Sequence, residues 1–161
     1  QQTTEHRHAG GDIRQIEQKH RKHYSREEQL AAYVLFLDGR SSEDRSNYRT
    51  LGQSYWNMSV AIFEPSLRGL AAELGFAPRS IEEIESLVLL HEFGHILGLV
   101  NNGTPLSSPH QDGEHGAHCD NPGCLMHFAV ENGELLRGLL SGARPALDSN
   151  CLADLRENGG K

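Results

Sequence analysis

The residues best placed to do chemistry in this 161-residue chain are His91, Glu92 and His95, within a stretch that reads HEFGHILGL from His91 to Leu99. On a helix, side chains four residues apart project from one face, so the two imidazoles can hold a single metal ion. The glutamate directly after the first histidine can then reach water activated at that ion. Nitrogen ligands in this arrangement suit zinc, and the chemistry it suits is hydrolysis. The pattern is short and the chain has 10 histidines, so its surroundings must support it.

A catalytic zinc takes about three protein ligands and keeps one position open. Asn101 stands where the common pattern HExxHxxGxxH places the third ligand, and an amide serves that role poorly. The ligand must therefore come from further on, where His110, His115, His118 and His127 are available along with Asp112, Glu114 and Asp120. If no ion were bound, two buried histidines and a buried glutamate would need several other hydrogen-bond partners.

A helix must present the motif. Pro78, Ser80 and Glu83 predict its start, with Ser80 as N-cap and Glu83 completing a capping box. Ile84 and Val88 continue at helical spacing into His91 and His95, so the histidines fall on an inward stripe. Leu89, Phe93 and Ile96 cover another face, and Gly98 can end the helix in a left-handed conformation. Upstream, the pattern predicts a frayed tail over 1–11 with His6 and His8 in solvent, then a helix from Asp12 to about His23. Ser25 and Glu28 mark a further helix start. Strands are expected at Ala31–Leu37 and Ser54–Phe63, separated by a charged loop over Arg40–Arg49. The aromatic residues of the second strand read as packing rather than as a substrate platform. A short helix over Ser66–Leu74 should stop at Gly75, another is indicated at Glu134–Leu140, and Asp148 or Ser149 can cap a last one reaching about Arg156.

The length suits one compact domain, 12–161, with an upper part over 12–99 and a lower part over 100–161. A net charge of −7 without a basic stripe argues against nucleic acid as a partner. No apolar run approaches the ~20 residues needed to cross a bilayer. A monomer acting on a peptide or protein is expected. The opening residues contain no apolar leader segment. Three cysteines, Cys119, Cys124 and Cys151, leave room for one disulfide and a spare thiol, or for a thiolate metal site.

The chain resembles the metzincin metallopeptidases, and among them most closely the archaemetzincins. The likeness rests on HEFGHILGL at 91–99 and HCDNPGCLMHF at 118–128, within a stretch of about 40 residues. In that family the second block follows the first almost directly, whereas here 100–117 look like an insertion. The resemblance implies a metzincin-like α/β fold: a twisted mixed sheet with an active-site helix, above a mostly irregular lower half that ends in a helix. It implies His118 as the displaced third zinc ligand, with His110 the alternative, and Met126 as the methionine beneath the metal. It also implies that 127–130 shape a substrate pocket, and that the strand at 54–63 is a sheet edge that holds extended substrate. The family's further Cys-x-x-Cys, part of a second zinc site, is missing. A disulfide, Cys119 with Cys124 or one of them with Cys151, is expected in its place, as in an extracellular, periplasmic or surface-anchored protein.

The function this implies is that of a zinc-dependent endopeptidase with one catalytic Zn2+, Glu92 serving as general base and then acid. Two alternatives use the same parts: a metal-binding interaction module with a peptidase fold and little activity, and a zinc amidohydrolase that does not cut peptides.

Overall fold

The computed structural model describes residues 6–46, 48–56, 58–75, 79–132 and 144–159. It is a mixed α/β arrangement with two small sheets. The chain runs β1 (Arg7–His8), α1 (Gly10–His20), β2 (Tyr33–Leu37), β3 (Arg40–Ser41), β4 (Gly52–Tyr55) and β5 (Ser59–Phe63). It continues with α2 (Glu64–Glu73), α3 (Arg79–Ile96), α4 (Ala129–Asn132) and α5 (Ser149–Glu157).

Every residue of β5 is buried, as expected of a central strand, and SVAIF supplies the apolar run such a strand needs. β2 pairs with it in parallel, Leu35 opposite Ala61, and β4 pairs antiparallel on the other side, Gln53 opposite Ala61. The sheet is therefore mixed, with β4 as the edge nearer α3. One face packs Val60 and Ile62 against Ile84, Leu87 and Val88 of α3 and Leu67 and Leu70 of α2. The other face packs Ala61 and Phe63 against Ile13 of α1. Buried Glu17 fastens α1 to the sheet by accepting from Ser59 Oγ at 2.8 Å and Arg21 Nη1 at 2.6 Å.

Four upstream expectations are corrected. The single strand over Ser54–Phe63 is a hairpin, because Trp56 takes φ 50° and reverses the chain between β4 and β5. The tail over 1–11 is not frayed from His6 onward. β1 pairs in parallel with β3, and His8 is buried over Gly39, where a Cβ would lie 2.7 Å from its ring. The first helix starts at Gly10, with Asp12 at its third position accepting from Ala9 N at 3.1 Å. Ser25 and Glu28 open no helix; Arg26 and Gln29 close a tight turn, and Ser25 Oγ accepts from Ala31 N.

Other elements follow the pattern. Pro65 lies in the first turn of α2, where its missing N–H costs nothing, and Gly75 follows that helix at φ 70°. α3 begins at Arg79, while Pro78 and the Ser80 side chain of the expected cap lie outside what is described, as does the helix expected at Glu134–Leu140. α5 starts as expected, with Asp148 Oδ1 accepting from Cys151 N at 2.9 Å. Between α3 and α5 the described chain is mostly irregular. No helix among the described residues is long and apolar enough to cross a membrane.

Candidate metal centre

α3 brings the motif inside. Ile84, Val88, His91 and Glu92 are fully buried and His95 nearly so, while Glu82, Ser86, Leu90 and Leu97 mark the solvent face. The helix then stops abruptly. Leu99 N donates to Gly94 O and Gly98 N to His95 O, each at 3.0 Å, with Gly98 at φ 83°, which is a Schellman termination. A Cβ on Gly98 would lie 2.7 Å from Thr104 Cγ2, so glycine is needed both for the turn and for the loop that packs on it.

Residues 97–120 then return a third histidine to the helix. Backbone bonds from Asp112 N to His118 O and from Asp120 N to His110 O, at 2.7 and 2.9 Å, pin the end of this excursion as a narrow hairpin. The outcome is a buried group of His91, His95 and His118 whose ligand atoms all lie within 4.8 Å of one another. The Nε2 atoms of His91 and His95 are 3.1 Å apart. A tetrahedral ion with metal–nitrogen bonds of about 2.0–2.1 Å separates two ligands by about 3.3 Å, so the spacing fits shared coordination.

Two of the rings are oriented from behind. His91 Nδ1 lies 2.7 Å from Leu125 O, and His118 Nδ1 lies 2.6 Å from His115 O. A carbonyl only accepts, so each Nδ1 carries the hydrogen and each Nε2 presents its lone pair, the tautomer a metal requires. The donor set, its burial and its tautomers together fit a metal ion. Neither carbonyl could have been found from sequence, because a backbone acceptor leaves no residue signature.

Glu92 faces the edge strand. A Cβ on Gly52 would lie 2.6 Å from Val88 Cγ1 and 3.0 Å from Glu92 Oε1, so β4 crosses close over the carboxylate. Gly94 is bare for a similar reason, with the Met126 sulfur occupying the space a Cβ would take. Met126, fully buried, thus packs against the helix turn between the two motif histidines.

The remaining candidates lie elsewhere. His110 Nε2 bonds Asp154 Oδ2 at 2.8 Å in a fully buried pair, away from the histidine group. Asp154 also accepts from Ser107 N and Oγ, each at 2.7 Å. Burial pushes its carboxyl up, but these bonds and His110 outweigh burial and hold it below the usual range. Asn101, at φ 62°, donates to Gln111. His115 stacks on Phe128 with ring centroids 3.6 Å apart and bonds Asp112, and His127 Nδ1 accepts from Ala129 N.

All three cysteines are buried free thiols, with no disulfide among them. They converge on a carboxylate instead of pairing. Cys119, Cys124, Cys151 and Asp148 form a second group whose ligand atoms lie within 4.8 Å, and it too could hold a metal ion. Cys124 and Cys151 Sγ are 3.6 Å apart, and Cys119 Sγ lies 3.4 Å from Asp148 Oδ2. The Cys124 and Cys151 thiols share a hydrogen bond, which draws Cys124 down to about 6 and holds Cys151 up, while burial pushes Cys119 up to about 12. Sequence reasoning recognised Asp148 only as a helix cap.

No protein-family model, no curated protein and no solved structure matches this chain.

Proposed function

We propose that this chain is a zinc-dependent endopeptidase of the metzincin type, built for peptide-bond hydrolysis at the group His91, His95 and His118. One observation carries the reading: three buried histidines from segments 23 residues apart meet at coordination distance, next to a buried glutamate one residue from the first of them. A bound zinc ion supplies Lewis acidity, polarising a carbonyl and acidifying water.

The chain supplies the rest. His91, His95 and His118 would hold the ion through Nε2, with the carbonyls of Leu125 and His115 fixing two of the rings. Glu92 takes the proton of the attacking water at its carboxylate and returns it to the departing amine, so one residue serves as base and then acid. The backbone of Gly52 passes close to that carboxylate, where a Cβ would lie 3.0 Å from Oε1. The edge strand β4 offers backbone groups with which an extended peptide can pair as an added strand.

The test is cleavage of a mixed peptide library by the zinc-loaded protein, its loss with a chelator and its return with added zinc. Glu92→Gln should bind zinc as the wild type does and cut at least about 100-fold more slowly, the range general acid–base catalysis provides. Intact peptides in the presence of bound zinc would overturn the proposal. They would favour an interaction module, or, if small amides were hydrolysed, an amidohydrolase.

A further inference from the structure

The fold gives one stretch of the surface a single sign of charge. Read as sequence, 12–26 mixes acids and bases, but Glu17 is buried against Arg21 and Ser59, and Asp12 accepts from the backbone of Ala9. From Ile13 to Arg26 the exposed charges that remain are Arg14, Lys19, Lys22 and Arg26, all positive, with His20 and His23 between them. The chain as a whole carries −7, so this stretch runs against its average. Cations in the last turn of α1 suit the helix dipole, which accounts for Lys19 but not for Lys22 or Arg26, beyond the helix end.

Apolar side chains stand among these cations. Leu30 is 81% exposed and Tyr24 57%, more than any other large apolar side chain among the described residues. The loop that carries them is tied down by Arg21, whose Nη2 donates to Ala31 O at 2.7 Å and Nε to His23 O at 2.8 Å. The same guanidinium lies 4.8 Å from the centre of the Tyr24 ring. Ser25 Oγ accepts from Ala31 N, and Arg26 and Gln29 exchange backbone bonds of 2.8 and 2.9 Å. The result is a knob at the end of α1 that holds Lys22, Tyr24, Arg26 and Leu30 together and turns them to solvent, with Glu27 and Glu28 as its exposed acids.

We infer that this knob and the outer face of α1 dock on an anionic lipid surface, the cations against the headgroups and Leu30 and Tyr24 entering the interface. Clustered lysines and arginines are drawn to the negative potential of such a surface, and apolar side chains beside them add a hold that charge alone does not supply. α1 packs on the sheet face opposite α3, so a molecule docked this way keeps the helix of the histidine group on the other side of the sheet. The contact is peripheral, since no described helix can cross a membrane. Docking here is independent of any chemistry at the histidine group.

The test is co-sedimentation of this chain with vesicles. It should bind vesicles holding about 30% phosphatidylserine, bind phosphatidylcholine vesicles at least about 10-fold more weakly, and come off the anionic ones as added salt screens the charges. The double variant Lys19→Glu/Lys22→Glu should lose about 10-fold or more of the binding to anionic vesicles, and Leu30→Ser about 5-fold or more. All three positions are exposed, and thermal unfolding equal to that of the wild type checks that each variant keeps the fold. Equal binding to the two kinds of vesicle, or wild-type binding in either variant, would overturn the proposal. So would retention on a soluble sulfated polysaccharide without binding to anionic vesicles, which would make this a surface for a soluble polyanion.

Discussion

Met126 lies directly beneath Gly94, its sulfur filling the space that any larger residue at 94 would need. The contact joins the lower half of the molecule to the turn of α3 between His91 and His95. Gly94→Ala must push the methionine or the helix aside, and overpacking of this kind costs about 1–3 kcal/mol. The variant should unfold at lower denaturant and bind zinc more weakly than the wild type. Equal stability and equal zinc affinity would show that the contact gives way freely.

His118 and His110 separate by what their loss leaves behind. His118→Ala should lose the ion at the histidine group, and activity with it, because two ligands remain. His110→Ala should keep that ion but lose about 1–3 kcal/mol of stability, since Asp154 is left with a missing partner in a buried position. Metal analysis beside chemical denaturation of the two variants checks both statements. Retained zinc in the first and lost zinc in the second would reverse the assignment.

Acid should loosen the lower half through Asp154. Its folded carboxyl lies below the usual carboxylate value, so its contribution is complete above about pH 4 and is lost as pH falls through the folded value. Asp154→Asn should flatten the stability profile on the acid side of pH 4 and leave its shape at neutral pH. A wild-type profile with the same acid limb as the variant would rule this residue out as the cause.

The cysteines give a count. Protein purified without reductant and unfolded in denaturant should titrate three thiols per chain with a chromogenic disulfide. One thiol would mean that a pair had closed, as the sequence alone suggested.

Gly52→Ala tests how closely β4 must approach Glu92. A methyl there meets Val88 and the carboxylate, so activity should fall at least about 10-fold through kcat while zinc content stays at the wild-type level. Wild-type kcat in this variant would show that Glu92 tolerates displacement.

The motif helix, its glycine stop and the final helix were legible because each is set by near neighbours: Ile84, Val88, His91 and His95 at helical spacing, Gly98 after them, and Asp148 three residues before Cys151. The hairpin was not legible, since the residue that turns it is a tryptophan in a run of strand formers, with neither glycine nor proline to mark the reversal. β1 was hidden because two backbone bonds to Arg40 and Ser42, 34 positions away in each case, hold it against an otherwise polar sequence. The cysteine group was only partly legible for a related reason. Its fourth member is an aspartate near the final helix, and only the return of that helix beside Cys119 and Cys124 brings it in. At the histidine group, residue types suggested the ligands, while the carbonyls that orient them and the glycines that make room appeared only in three dimensions.

α5 touches nearly everything that shapes the loop carrying His118. Asp148 holds Asn121, Cys151 meets Cys124, and Asp154 grips both Ser107 and His110. During synthesis the sheet and α3 emerge before α5, while a domain of this size generally folds as a unit. The hairpin that delivers His118 lacks its clasp until α5 has been made. The two halves of the site are thus separated in time as well as in sequence, and the newborn chain has no complete centre until residues 148–157 have been made.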